Sequence, residues 1–319
     1  MKKTSPVCIL CHSQESRILR DSLRYDIKRK VLQCKRCSLV YLEPLSGVST
    51  AYYASKKYRK SYGPNLKKTS SAREIFNAYA PFQEPIVKEI KHLLKPSTKI
   101  LDIGCSTGHF LAALKGKAKT RVGLELGQDE VKFIRKNLDF KVYAEPIEDA
   151  KIAEGPFDLV TALQVLEHVP NPFSFLQSIA QNLKPKGYLY LELPNISDVL
   201  LSIFKIKGYE DFYYREPHVF YYSKDTLKAL LKKAGFEGEI KNAQRYNFLN
   251  HLNWMLTGKP QDNFAVGNGD PVLISDTSVD KMIKNDFNKF IKDTDLKYKQ
   301  LVEKHNLGES LTFLGRKGL

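Results

Sequence analysis

No apolar run in the 319 residues approaches the roughly 18 needed to span a bilayer. The start, Met1-Lys2-Lys3-Thr4-Ser5-Pro6, is basic but has no apolar segment behind it. It does not read as a secretion signal, and the chain is expected to be cytoplasmic. No internal repeat and no low-complexity tract appears. There is one tryptophan, and there are five cysteines, four of them in two pairs near the N-terminus. In a cytosolic chain that pattern speaks for metal and against disulfides. Acidic residues are in short supply: 35 Asp and Glu against 51 Lys and Arg leave a formal charge of +16. Such an excess fits nucleic acid, an anionic membrane face or an anionic small substrate. The lysines are spread along the chain, with local densities at 56–60, 228–233 and 281–304. That spread favours a Lys-rich surface over a dedicated polyanion groove.

What is present falls into three parts. Residues 1–45 hold the cysteine pairs with a strand-like stretch between them. Residues 46–95 comprise a Tyr-, Ser-, Lys- and Gly-rich linker or lid and then a helical stretch, 71–95, closed by Pro96. From 96 to 319, short apolar strands alternate with helices. Strands are expected at 99–103, 121–125, 141–143, 157–163, 187–193, within 236–248 and at 310–314. Helices are expected at 108–115, 128–138, up to about 183, at 223–235 and at 277–304. Residues 258–276 read as a loop. Buried strands alternating with helices indicate βαβ units around a parallel sheet.

Cys8, Cys11, Cys34 and Cys37 form CxxC-x22-CxxC. Two tight turns of this kind can supply four thiolates to one zinc ion. Such a closed set leaves no open position, which makes the expected role structural.

Asp102-Ile103-Gly104-Cys105-Ser106-Thr107-Gly108 follows the first sheet strand and precedes a helix. In open α/β sheets ligands bind in that crevice. Gly104 and Gly108 stand four apart, so the dinucleotide fingerprint is missing. Glu125 ends the second strand, where a carboxylate can accept hydrogen bonds from both ribose hydroxyls. Cys105 reads as a small apolar loop residue within the cofactor loop.

The loop resembles the D-x-G-x-G-x-G element of class I S-adenosylmethionine (SAM)-dependent methyltransferases, with Ser106 at the middle glycine. The resemblance grows with Phe157-Asp158-Leu159-Val160, then Leu163-Gln164-Val165-Leu166-Glu167-His168-Val169-Pro170, then Leu183-Lys184-Pro185-Lys186-Gly187. It covers about residues 96–240. It implies a doubly wound, Rossmann-like α/β fold with a seven-stranded sheet, whose final hairpin has a reversed strand. It implies that Asp102, Gly104, Cys105, Gly108 and Glu125 contact SAM. It further places Ile147 and Glu148 near the adenine and Gln164 on the methyl-transfer crevice. The N-terminal run from Val31 to Tyr41 is similar to the zinc-binding leader of a subgroup that includes sugar C-methyltransferases and surface-polysaccharide enzymes. Those C-methyltransferases carry a further C-terminal domain for which this chain is too short.

Tyr213-Tyr214-Arg215-Glu216-Pro217-His218-Val219-Phe220-Tyr221-Tyr222-Ser223 lies after the fifth strand. It is similar to the EHxxYFS stretch of the same subgroup, whose histidine is the proposed base. His218 matches that histidine, and Pro217 replaces the neighbouring glutamate. The expected catalytic residues are therefore His218, titrating near neutrality, with Glu216 or a nearby tyrosine such as Tyr222 to orient it. Candidate acceptor contacts are Tyr214, Tyr221, Tyr53 in the lid, and Trp254 in an insertion at about 245–308. Trp254 reads equally as a packing anchor. Glu167-His168 reads as a structural turn. Some relatives bind a divalent cation with ExxEH, but Gln164 stands here at the first glutamate.

The expected function is methylation of a small acceptor by SAM, on a sugar or nucleotide-sugar hydroxyl or carbon. An anionic, sugar-linked acceptor matches the basic surface. The rival is an RNA methyltransferase that grips phosphates with the cysteine module and the basic helix 277–304 and stacks bases on the tyrosines of 52–62.

Overall fold

In a computed structural model, residues 6–53, 55, 58, 61–64 and 70–318 are described. The basic start, residues 1–5, and most of the lysine cluster at 56–60 lie outside that set. The strands are β1 (Ser16–Ser22), β2 (Lys28–Cys34), β3 (Val40–Glu43), β4 (Lys99–Ile103), β5 (Thr120–Leu124), β6 (Lys141–Tyr143), β7 (Phe157–Leu163), β8 (Leu183–Pro194), β9 (Phe220–Tyr221), β10 (Phe236–Ala243) and β11 (Ser310–Lys317).

Seven of them form one sheet in the order β10-β11-β8-β7-β4-β5-β6. The five strands from β8 to β6 run parallel. β11 is antiparallel to both of its neighbours, so the last strand is the reversed one, as expected. The order steps outward in both directions from β4, and the ligand crevice of such sheets opens beyond the strand ends at that point.

Helices cover both faces. On one face Leu176 and Ile179 of the helix Pro172–Asn182 and Leu227, Leu230 and Leu231 of Lys224–Lys233 meet Leu101, Val160 and Leu191. Ser223 caps the second of these helices by accepting the Thr226 N–H at 3.3 Å. On the other face Val131 and Ile134 of Gln128–Asn137 join Phe110, Leu111 and Ile90 against Ile100 and Leu159.

The expected single helix over 71–95 is instead divided into Ala72–Tyr79, a turn at Ala80–Phe82, Glu84–Ile90 and a turn at Lys91–Leu93. Pro81 and Pro85 account for the first two breaks, because each lacks an N–H and crowds the preceding turn. The stretch 258–276, read as a loop, holds the helix Phe264–Asn268. Three more helices, Val199–Ser202, Lys207–Tyr213 and Phe248–Thr257, had no clear periodic signal. No helix among the described residues is long and apolar enough to cross a membrane.

The N-terminal module is a three-stranded antiparallel sheet to which the catalytic part adds a fourth strand. β9 pairs with β3, with Val40 opposite Tyr221 and Tyr41 opposite Phe220. Cys8, Leu10, Leu32, Leu39 and Tyr41 share one buried cluster with the sheet and its helices. The module is thus built into the main core.

Candidate active site

The loop after β4 turns sharply, with positive φ at Gly104 (69°), Ser106 (50°) and Gly108 (77°). Side chains fill the space at the two glycines. A Cβ on Gly104 would come within 2.6 Å of Val165, and one on Gly108 within 2.6 Å of Phe140. These glycines therefore serve the backbone turn and its packing together. Glu125 ties the loop down: one carboxylate oxygen accepts the Ser106 N–H at 2.7 Å and the other the Gly127 N–H at 2.7 Å. Asp102 is fully buried and accepts the Thr161 hydroxyl at 2.7 Å. Burial, with the Glu125 charge added, pushes its carboxyl up to about 7 against the opposing Thr161 bond.

A cavity of about 1180 Å³ opens over this loop. Asp102, Gly104, Cys105, Glu125, Ile147, Glu148 and Gln164 all contribute to its wall, whereas Gly108 lies outside it. Cys105 contributes little by its side chain, because its Sγ is wedged against Gly123 in the core. Gln164 has φ of 57° and donates its backbone N–H to the Glu192 carbonyl at 2.6 Å.

The far wall of the same cavity holds Glu167, His168 and His218. The Val219 N–H donates to the Glu167 carbonyl at 2.8 Å, which sets His218 beside the turn at 166–168. His168 Nε2 and His218 Nε2 lie 3.8 and 4.0 Å from one Glu167 oxygen. The two rings meet edge to face at 4.7 Å. Neither oxygen of Glu167 has a hydrogen-bond partner, although the side chain is buried. Burial raises this carboxyl to about 8. Burial, then the charge of Arg215, pushes His168 down to about 3, and the same causes hold His218 well below its ordinary value.

These facts correct the expectation of a solvated His218 titrating near neutrality and oriented by Glu216. The neighbour of His218 is Glu167. Glu216 lies off the cavity, its carbonyl facing Arg29 Nη1 at 3.4 Å. Tyr222, Tyr221 and Tyr214 also fall outside the cavity wall, because each is buried in a core cluster. Tyr221 Oη accepts the Arg215 N–H at 2.9 Å and so braces the loop from behind. Tyr53 and Trp254 do reach the wall, Trp254 packed on Tyr209 and Phe212 at 5.0 and 5.2 Å. The reading of Glu167-His168 as a turn missed that both side chains face the cavity.

Cys8, Cys11, Cys34 and Cys37 come together with all four sulfurs within 4.8 Å of one another. Both pairs make the same turn. The N–H of the first cysteine donates to the carbonyl five residues on, Cys8 to Ser13 and Cys34 to Leu39, each at 2.9 Å. His12 and Ser38, each just after a pair, adopt φ of 58° and 64°.

Residues 72–239, just over half of the chain, match the family model described as a methyltransferase domain. The chain belongs to the methyltransferase-domain family. With the fold above, it is a SAM-dependent methyltransferase. It is similar to a ubiquinone biosynthesis O-methyltransferase of Thiobacillus denitrificans, 29% identical over 161 residues, which are 47% of this chain and 68% of that protein. A protein of the same description from Bordetella avium is 25% identical over 200 residues, 60% of this chain and 82% of that one. Among solved structures, a SAM dependent methyltransferase from Archaeoglobus fulgidus aligns with a TM-score of 0.47 and 18% identity, covering 76% of this chain and 99% of that one.

Proposed function

We propose that this methyltransferase transfers the methyl group of SAM to a hydroxyl of a small, anionic, sugar-type acceptor. The observation that carries the reading is the Glu167 carboxylate, buried without a partner between two imidazoles, in the same cavity as the glycine loop. A hydroxyl acceptor needs its proton taken and its oxygen held in line with the sulfonium methyl. Glu167, His168 and His218 present one carboxylate and two imidazole nitrogens to one point in the wall. The relatives' description as O-methyltransferases agrees with an oxygen acceptor. The likeness of the cysteine module to those of polysaccharide-pathway enzymes supports a sugar.

Cofactor contacts follow from the loop. Gly104 and Cys105 would offer backbone to SAM, Glu125 would receive its ribose hydroxyls, and Ile147 and Glu148 would border the adenine. Glu125 now holds two backbone N–H groups of its own, so ribose would share acceptors already in use.

The triad also fits a divalent cation. Its donor atoms lie within 4.8 Å of one another, close to what ligands about 2.1 Å from one ion require. An unpartnered buried carboxylate beside two neutral imidazoles is the donor set such an ion needs. When bound, a cation there would lower the pKa of a coordinated acceptor hydroxyl. Gln164, at the position of a further acidic ligand in some relatives, leaves the protein set at three. At the other end, the four cysteines fit one structural zinc ion: thiolates at about 2.3 Å from a tetrahedral centre stand close to the 3.4 and 3.5 Å seen between Cys11 and Cys34 and between Cys8 and Cys37.

Turnover on a panel of sugars, nucleotide-sugars and catechols, followed by mass spectrometry, tests the reading. Glu167→Gln should keep its SAM affinity, measured by calorimetry, and lose about 10²–10⁴-fold in turnover. Undiminished turnover would remove the triad from the chemistry. Methylation of RNA with none of the small acceptors would favour the nucleic-acid reading.

A further inference from the structure

Arg24 is contributed by the N-terminal module, yet its side chain ends in the cavity wall. It sits in the turn between β1 and β2, where Tyr25 and Asp26 both adopt positive φ, 65° and 55°. Its backbone N–H donates to the Tyr214 carbonyl at 2.6 Å. Its Nε donates to the Phe212 carbonyl at 2.6 Å, and the guanidinium lies on the Phe212 ring, 3.4 Å from the centroid. The side chain is 6% exposed, and Nη2 has no hydrogen-bond partner. Arg215 reaches the same cavity from the loop before His218, with its buried Nε also unpartnered. Both guanidiniums address one ring, Tyr62, at 5.7 and 5.9 Å.

Neither arginine forms an ion pair with an acidic group among the described residues. The residues outside that set carry no Asp or Glu side chain. The contrast with the other arginines is direct. Arg245, also in the cavity wall, is paired with Glu192 at 2.7 Å and Glu89 at 3.0 Å. Arg20, in the same module as Arg24, is paired with Asp211 at 2.6 Å. A buried cation without a counter-ion is costly, and Arg24 has in addition the half-buried Arg215 beside the same ring. Burial, with the Arg215 charge next, lowers Arg24 to about 9. The cost falls when an anion in the cavity pairs with them. A guanidinium fork matches two oxygens of a phosphate at once, and a lysine would not.

We infer that Arg24 and Arg215 form a phosphate-binding subsite for the acceptor, so that the N-terminal module contributes a specificity residue to the methyl-transfer cavity. This rests on the reading of an anionic acceptor, and it narrows that class to molecules bearing a phosphate or diphosphate. The subsite lies on the side of His168 and His218, both of which feel the Arg215 charge. An acceptor anchored there would extend from the arginines past the histidines toward the cofactor loop. It would also explain why the module is built into the core: the module's position sets the position of Arg24.

The test uses inorganic pyrophosphate as probe on the full chain, with no turnover required. Pyrophosphate binding is measured by calorimetry in wild type, Arg24→Gln, Arg215→Gln and Arg215→Lys, with Arg17→Gln as a module control whose guanidinium bonds Gln33 and is not in the cavity wall. Wild type and the control should bind alike, each Gln variant should weaken binding by about tenfold or more, and Arg215→Lys should fall between. SAM affinity, measured in parallel, should stay unchanged in Arg215→Gln, which shows that the variant is folded. Equal pyrophosphate binding in wild type and both Gln variants, or none in wild type, would overturn the inference. Tighter binding of succinate than of pyrophosphate would overturn the assignment to phosphate. Failure of hydroxyl methylation with arginine-dependent pyrophosphate binding intact would count against the acceptor atom only and would leave the subsite standing.

Discussion

Tyr53 Oη lies 3.1 Å from His168 Nδ1, which places the segment before the first long helix in direct contact with the wall of the cavity. The rings of Tyr53 and His168 meet edge to face at 5.6 Å, and Tyr58 closes on both. With Nδ1 engaged by the phenol, Nε2 is the nitrogen turned to Glu167. Tyr53 thereby fixes the orientation of an imidazole in the triad. Tyr53→Phe should leave SAM affinity unchanged and reduce kcat/KM by roughly two- to tenfold, the worth of one neutral hydrogen bond. A weakened SAM affinity instead would show that Tyr53 acts on the cofactor side.

Cation binding gives a readout separate from turnover. If Glu167, His168 and His218 hold a divalent ion, adding magnesium, manganese or zinc should raise the thermal midpoint. At a concentration a hundred times the Kd the gain is about 2.7 kcal/mol. His218→Ala and Glu167→Gln should each abolish most of that gain while keeping the fold. Zinc calls for a control, because the four cysteines also take it: a cation effect that persists in both variants would belong to them.

The strands and the glycine loop are legible because their signals are local. A short apolar run, a glycine turn and an acidic residue at the next strand end fix β4, β5 and the loop at 102–108 regardless of what packs on them. The helix at 71–95 is only half legible: its apolar spacing is helical throughout, while Pro81 and Pro85 divide it. The tyrosines Tyr214, Tyr221 and Tyr222 look like site residues in a sequence because aromatics beside a histidine suit a binding wall. Their burial depends on how β9 pairs with β3, a contact between distant segments that no spacing encodes. Arg24 was illegible for the same reason. Nothing in Leu23-Arg24-Tyr25 shows that the turn will aim a guanidinium into a cavity built by the other end of the chain. Glu167 and His168 stand in the sequence beside Gln164, but nothing in their spacing brings the distant His218 next to them.

Asp102 yields a pH prediction. Its folded carboxyl is raised to about 7 by burial and by Glu125, well above its ordinary 3.8. A group raised in the folded state contributes stability that is fully present below its unfolded pKa and is lost as pH rises through the folded value. Between about pH 4 and pH 7 the wild type should therefore lose stability from this site, up to about 4 kcal/mol. Asp102→Asn keeps an oxygen for the Thr161 hydroxyl and has nothing to ionise. The stability difference between wild type and Asp102→Asn, from urea unfolding at several pH values, should shift against the wild type across that window. Parallel curves would mean that Asp102 is solvated or paired in solution.

Removing the metal proposed for the cysteines should affect catalysis more than cofactor binding. Read from the sequence, residues 1–45 look separable, so that chelation would loosen them and leave the rest folded. The structure alters that expectation. β3 is the partner of β9, which follows His218 directly, and the Leu42 N–H donates to the Val219 carbonyl at 2.9 Å. Lys233 Nζ, on the helix Lys224–Lys233, donates to the Leu10 carbonyl. The cysteine turns thus anchor the strand that positions His218 and the turn that carries Arg24, while the loop at 102–108 rests on β4 and β5. Chelation, or Cys34→Ser, should increase amide exchange at 216–222 as well as at residues 6–43. It should raise KM for the acceptor and lower kcat, with SAM affinity within about threefold of the untreated protein, since none of the loop's contacts is lost. Exchange confined to residues 6–43 with full activity would show that the module folds and unfolds independently of the site. Loss of SAM binding in step with zinc would show that the whole sheet depends on the metal.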